Sequence, residues 1–322
     1  MKSHGWKLLV ALVAIAGVAN GQGAVDPSLN PYRVPLEPVK GKIKLVGSLT
    51  MAHLGASWAD NFRKLNPGVE VEIEVKGAVN AVSSVIDGDA DFGMMSRTIT
   101  NEEVQAFQQK FGYPPTVLTP SLEPLAIFVH KDNPIQSLTL AQVDQIYSAS
   151  LKRGAKATAK TWGDVGVTGE WAKMPIIPLG RSATTGSQVF MQQAVLGSGE
   201  FRADLAAAPS NLDLVQAVGS NKGAVGFAGS TNLVAEVKAV PIAWREGEQA
   251  FSIEMANYPL VRPLQFVVNH PPGKPLSNEQ SEFLKYVFSQ QGQQVVVIGG
   301  LLSVPSRPAQ IALDAVGIHA VN

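Results

Sequence analysis

Residues 42–95 read KIKLVGSLT MAHLGASWAD NFRKLNPGVE VEIEVKGAVN AVSSVIDGDA DFGMM. Ile43 and Leu45 ahead of the Gly47-Ser48 turn predict a strand, and Met51, Leu54, Trp58, Phe62 and Leu65 then recur at helical spacing until Asn66-Pro67-Gly68 stops them. Strict alternation of Val69, Val71, Ile73 and Val75 predicts a second strand, because side chains two apart share one face of a sheet. A helix carrying Val79, Val82, Val85 and Ile86 follows, and residues 90–94 make a short buried strand. Thr100 with Glu103 three positions on forms a capping box for a helix reaching Phe111. Strand and helix alternate throughout, which predicts a parallel sheet with helices on its faces.

The same alternation returns downstream. Residues 124–129 are apolar and strand-like, residues 139–147 form a helix opened by a Thr139/Gln142 box, and residues 175–179 and 185–196 read as strand and helix. A helix over 211–218, a strand over 223–228 and a further strand over 265–269 follow, and Ser277 with Gln280 caps an amphipathic helix through Phe283, Leu284, Val287 and Phe288. Two α/β units are therefore expected. A chain of 322 residues accommodates them at about 150 residues per domain. With 45% hydrophobic and 16% charged residues, the composition excludes a disordered or fibrous protein.

Both ends of the function question narrow early. Lys plus Arg number 26 and Asp plus Glu number 26, so no basic field exists to gather the phosphate contacts of a nucleic acid. The absence of cysteine excludes disulfides, thiolate catalysis, cysteine-ligated metal centres and a lipid-modified N-terminal Cys. At the N-terminus, Lys2 and Lys7 precede an apolar run from Leu8 to Ala19 and small residues up to Ala24, the three parts of a secretory signal over 1–24. About twelve apolar residues fall short of the roughly 20 that span a bilayer. Cleavage after Ala19, Gly21 or Gly23 removes two lysines and no acid, leaving 24 basic against 26 acidic residues. Residues 25–41, with Pro27, Pro31, Pro35 and Pro38, read as an extended lead-in with little structure of its own.

Three turns share one chemistry, a strand ending in small and hydroxyl residues directly before a helix. They are Gly47-Ser48-Leu49-Thr50, Gly77-Ala78-Val79-Asn80 and Gly180-Arg181-Ser182-Ala183-Thr184-Thr185-Gly186-Ser187. Helix N-termini offer free N–H groups and about half a positive charge, so several converging on one cleft would hold an anion. Ordinary N-capping would use the same residues at any one turn. The third turn is the most specific, since Arg181 does nothing obvious for a cap and supplies a bidentate fork. Ser96 and Arg97 in Met94-Met95-Ser96-Arg97 follow a strand's C-terminal end, where open α/β sheets bind ligands, although an exposed loop arginine would read the same way.

Catalytic constellations are poor. His4, His53, His130, His270 and His319 lack metal-ligand spacing, and neither a Gly-x-Ser-x-Gly elbow nor a Gly-Lys phosphate loop is present. Asp87, Asp89 and Asp91 do not follow the EF-hand ligand order and read better as a helix end turning into a strand. No metal and no cofactor is expected.

Several motifs taken together resemble the phosphate-binding proteins of bacterial phosphate ABC transporters. They include Gly47-Ser48-Leu49-Thr50-Met51, Asp91-Phe92-Gly93-Met94-Met95-Ser96-Arg97, Val129-His130-Lys131-Asp132-Asn133-Pro134 and Thr161-Trp162-Gly163-Asp164. Gly223-Ala224-Val225-Gly226-Phe227, Tyr258-Pro259-Leu260-Val261-Arg262-Pro263-Leu264 and Ser289-Gln290-Gln291-Gly292-Gln293 complete the set. The resemblance runs in order from about Lys42 to Ile318. It implies a type II two-lobed periplasmic binding protein fold, each lobe a largely parallel sheet flanked by helices, with two hinge crossings. Lobe one would be 42–125 plus 259–322 and lobe two 126–258, closing on an anion between them.

On this resemblance Ser48, Leu49 and Thr50 fall on the first anion-binding loop, Ser96 and Arg97 on the loop after the Asp-Phe-Gly strand, and Arg181, Thr185, Gly186 and Ser187 on the arginine loop. The second loop departs from the family's Ser-rich turn, so only Asn80 could replace a lost side-chain donor. Ser96 and Ala183 stand where some relatives carry a carboxylate that accepts phosphate's proton. A hydroxyl accepts a proton but repels nothing, which implies weaker rejection of sulfate. The remaining preference for phosphate would then depend on whether another acceptor reaches the cleft, Glu123 being the nearest in sequence to the hinge, although Glu123 reads more naturally as an exposed hinge residue. The implied protein is a monomeric periplasmic receptor for phosphate, not an enzyme, that delivers its ion to a membrane ABC permease. A secreted phosphate sensor or surface protein uncoupled from transport, and a secreted phosphatase on the same fold, are the competing functions.

Overall fold

The Gly47-Ser48 turn joins β1 (Lys40–Gly47) to α1 (Leu49–Leu65) in the computed structural model, which describes residues 24–255 and 257–319. The segment expected to be a secretory signal lies outside these residues up to position 23. Ser48 is extended and caps α1, and Met51, Leu54, Trp58 and Phe62 form the buried stripe that their spacing predicts, while Leu65 at the last position of the helix is exposed. β2 (Gly68–Val75) pairs with β1 in parallel along its whole length. A 3-10 turn over Ala78–Asn80 leads into α2 (Ala81–Ile86), and β3 (Phe92–Met95) lies parallel on the other side of β1. α3 (Asn101–Phe111) carries both halves of the Thr100/Glu103 capping box, a device that contributes about 1 kcal/mol.

β4 (Thr116–His130) then runs for 15 residues out of this unit and into a second one. There follow β5 (Leu138–Thr139), α4 (Leu140–Tyr147) with its Thr139/Gln142 box, β6 (Ile177–Gly180), α5 (Gly186–Ala194), β7 (Ala206–Ala207) and α6 (Asn211–Gly219). β8 (Ala224–Gly229), β9 (Val237–Ala239), β10 (Ile242–Ala243) and β11 (Ala250–Phe251) complete it. β12 (Val261–Val268) carries the chain back, and α7 (Asn278–Val287), α8 (Gln290–Ile298), β13 (Leu302–Ser303) and α9 (Ser306–Asp314) close the first unit.

One sheet passes through both units in the order β2-β1-β3-β12-β4-β8-β6-β7. It is mixed where a largely parallel sheet is expected. β12 lies antiparallel to β3 and β4, and β4 antiparallel to β8, whereas β1 with its two neighbours and β6 with its two neighbours are parallel. A chain that leaves along one strand and returns along the next must run the two in opposite directions, so the crossings impose the exception.

Two large cores sit on either side of the crossing. One gathers Leu125 through Leu260 and the other gathers Leu29 through Leu118 with Leu264 through Val316. The lead-in has no helix or strand before Lys40, yet Leu29 and Tyr32 are buried in the second of these cores. Tyr32 Oη donates to Glu282 at 3.1 Å and accepts from Asn66 at 3.0 Å, which fastens the segment across α7 and the end of α1. Among the described residues no helix is long and apolar enough to cross a membrane.

Candidate functional site

A cleft of about 820 Å³ opens between the two units. From the first unit it is lined by Ser48, Leu49 and Thr50 at the start of α1, by Gly77 and Ala78, and by Ser96 just beyond β3. From the second it is lined by Arg181, Thr185, Gly186 and Ser187, and by Ser210, Asn211 and Leu212 where α6 begins. The strand-to-helix turns legible in the sequence converge because parallel strands deliver their C-terminal ends, and the helices that follow them, to one edge of the sheet.

Arg181 is only 8% exposed and has no carboxylate partner within hydrogen-bonding distance among the described residues. Its Nη1 donates to the neutral Asn211 Oδ1 at 2.8 Å, and its Nε is buried without a partner. Burial pushes the guanidinium pKa down from its ordinary value, with Asp213 pulling the other way. Gln188 accepts from the Arg181 backbone N–H at 2.9 Å and holds the loop onto α5. At the head of α5, the Thr185 side chain makes no cap bond and instead donates to Ser182 O at 2.8 Å. The first-turn N–H groups of α5 therefore have no side-chain cap at the place where Arg181 also has no carboxylate partner.

The opposing face is cross-tied. Ser48 Oγ donates to Ser96 Oγ at 2.8 Å. Arg97, read in the sequence as a possible ligand residue, does not line the cleft. Its Nη1 donates to Glu103 Oε2 at 2.8 Å and to Thr98 O at 3.0 Å, and its Nη2 reaches Glu103 Oε1 and Ala78 O. The capping-box glutamate of α3 thus also neutralises this arginine. Asn80 does not line the cleft either, because its Nδ2 turns back onto Lys76 O at 2.6 Å and the residue is exposed. The second loop brings Gly77 and Ala78 to the cleft instead.

Glu123 corrects the reading of an exposed hinge residue. It is 1% exposed and its Oε2 accepts from Arg262 Nε at 2.9 Å and Nη2 at 2.6 Å. Arg262 escapes sequence reasoning as a site residue although it stands within the quoted Tyr-Pro-Leu-Val-Arg motif, since nothing local marks its partner. Asn211 escapes it too, although the Ser210-Asn211 start of α6 is the same kind of helix-opening turn as those at Ser48 and Thr185.

The two faces touch. A Cβ added at Gly186 would stand 1.9 Å from Ser96 Oγ, and one at Gly77 would stand 3.3 Å from Thr184 O. Gly186 is therefore required by close approach across the cleft.

Two α/β units joined by a pair of antiparallel crossing strands, meeting over a cleft that holds an uncompensated guanidinium, define a two-lobed binding protein. The chain belongs to the PBP superfamily, whose domain model matches residues 34–291. It is similar to the phosphate-binding protein PstS of Pseudomonas aeruginosa, with 39% identity covering 97% of this chain and 99% of the relative. Two solved structures share the fold at 22% identity, each covering 82% of this chain and 100% of its own. One is an ABC-type phosphate transport receptor from Vibrio cholerae with a TM-score of 0.67. The other, a putative phosphate ABC transporter substrate-binding protein from Clostridium perfringens with bound phosphate, has a TM-score of 0.65.

Proposed function

We propose that this protein captures inorganic phosphate between its lobes outside the cytoplasm and passes it to a membrane ABC permease, acting as a monomer without metal or cofactor. The observation that carries the reading is Arg181, a buried cation whose side-chain partner is the neutral Asn211. A buried guanidinium costs several kcal/mol unless paired, and an anion in the cleft is the partner that position lacks. Thr50, Ser96, Ser187 and the N–H groups opening α1 and α5 are the donors placed around it. Arg97 acts at one remove, tying the loop that carries Ser96 to Glu103 and to Ala78, and Asn80 braces the turn that brings Gly77 and Ala78 to the cleft. Similarity to the P. aeruginosa protein over nearly the whole chain supports phosphate as the anion.

The lobes, 42–125 with 259–322 and 126–258, swing about the paired crossings where Pro124 faces Val261. Export by the secretory segment places the protein where a permease can receive its ligand. Calorimetric titration of the refolded, ligand-stripped mature chain tests the reading. Phosphate should bind one per chain with micromolar or tighter affinity, about −8 kcal/mol or more favourable. Neither heat nor a thermal shift at millimolar phosphate overturns it.

A further inference from the structure

Ser48 lies on the turn that opens α1 into the cleft, yet its hydroxyl is already engaged on both sides. Its Oγ accepts from Met51 N at 3.5 Å as the cap of α1 and donates its single proton to Ser96 Oγ at 2.8 Å. No proton is left on that side chain for an anion. Ser96 is arranged the other way. It is 1% exposed, its Oγ receives the proton of Ser48, and its own O–H has no acceptor among the described residues. Ser96 lines the cleft, and the close approach of Gly186 to its Oγ sets the hydroxyl against the head of α5 in the facing lobe. Thr50 repeats the order more loosely, with Oγ1 lying 3.5 Å from Arg262 Nη2, a guanidinium that Glu123 holds.

A serine hydroxyl is a rotor, and a rotor that must point one way to meet a ligand gives up freedom on binding. The bond from Ser48 takes that freedom away beforehand. It occupies Ser96 Oγ from the lobe-one side, which turns the Ser96 proton away from Ser48 and toward the facing lobe. A hydroxyl that accepts one hydrogen bond is also polarised into a stronger donor, and the gain is larger where water is excluded. A buried donor without an acceptor costs free energy until one arrives. An oxyanion between the lobes brings that acceptor, and its charge strengthens the bond.

We propose that Ser48 is a positioning residue of the cleft and not one of its ligands, ordering and polarising the Ser96 hydroxyl and acting on the bound oxyanion through that hydroxyl alone. The inference rests on the reading of the cleft as a phosphate site. It separates Ser48 from Thr50, its neighbour on the same turn, whose hydroxyl proton is not spent inside the protein.

The test is a double-substitution cycle read by calorimetric titration with phosphate, each chain refolded and stripped of ligand. Glycine serves nearly as well as serine at an N-cap, so Ser48→Gly removes the hydroxyl and leaves α1 capped. It should weaken phosphate binding about fivefold or more, and Ser96→Ala should weaken it at least as much. Added to Ser96→Ala, Ser48→Gly should change the affinity by less than about twofold, because the group it acts through is gone. Ser48→Thr restores both hydroxyl and cap and should bind within about twofold of wild type. A Ser48→Gly chain that binds within about twofold of wild type overturns the proposal. So does a loss of about fivefold that persists on the Ser96→Ala background, which would make Ser48 a direct ligand or a purely structural cap. Should Ser48→Gly not fold, Ser48→Ala carries the same cycle with urea unfolding beside it. A lost cap lowers stability on both backgrounds, whereas lost ordering lowers affinity only where Ser96 is present. A wild-type chain that binds phosphate while the two substitutions act additively sinks only the role of Ser48, and a wild-type chain that binds none sinks the phosphate site itself.

Discussion

The two faces of the cleft are built on opposite electrostatic plans. On the lobe-one side each buried arginine is neutralised inside the protein, Arg97 by Glu103 and Arg262 by Glu123. Across the cleft the Arg181 side chain donates to the neutral Asn211 and has no carboxylate within hydrogen-bonding distance among the described residues, and α5 opens without a side-chain cap. The first face is a braced, overall neutral frame of hydroxyls, and the second holds the charge. A ligand that satisfies Arg181 while reaching Thr50 and Ser96 must bridge both lobes, so binding and closure become one event.

Removing the charge is the sharpest way to break this contrast. Arg181→Ala should weaken phosphate binding by about 2 to 4 kcal/mol, since it deletes a charge-assisted fork and leaves the anion's charge uncompensated. Isothermal titration reads it, and an affinity within about threefold of wild type would falsify the assignment of the arginine loop. Next comes the contact between the faces. Gly186→Ala would set its methyl carbon 1.9 Å from Ser96 Oγ, so the lobes should stop short of full closure. Affinity should fall about tenfold to a hundredfold with Arg181 intact, and small-angle scattering of the phosphate-saturated variant should stay more extended than wild type. Equal scattering profiles would show that the loops yield to the methyl.

The smallest effect tests the braced face. Arg97→Ala should cost about 1 to 2 kcal/mol of folding stability in urea, because Glu103 loses its partner yet keeps some access to water. Phosphate affinity should fall less than it does for Arg181→Ala. If the two substitutions exchange these phenotypes, with Arg97→Ala the worse binder and Arg181→Ala the less stable, the division of labour between the faces is wrong.

Much of the frame is legible without coordinates. The α1 stripe, the capping boxes at Thr100, Thr139 and Ser277, and the alternation of β2 all appear as periodic or local patterns, and local patterns survive folding. α8 is not, because Gly292 and the run Val295-Val296-Val297-Ile298 argue against a helix. Packing overrides that preference, since Gly292 sits so close to Tyr286 O that a Cβ would stand 2.0 Å away, and its own carbonyl accepts from Trp58 Nε1 at 2.8 Å. The lead-in looks featureless for a related reason: Leu29 and Tyr32 owe their burial to α7 and α1, which lie far away in sequence.

The sequence by itself determined the alternation of strands and helices, the cutting points at Gly and Pro, and the hydroxyl and arginine turns that open helices, since each depends on neighbours within a few positions. Only the tertiary structure decided which arginine is free. Along the chain Arg181 is marked only by its turn and Arg262 not at all, and what settles their charge is whether a carboxylate comes within hydrogen-bonding distance: Glu103 from the next helix for Arg97, Glu123 from a strand 139 positions earlier for Arg262, and none among the described residues for Arg181. Charge compensation is a property of distance in space, and sequence separation does not report it.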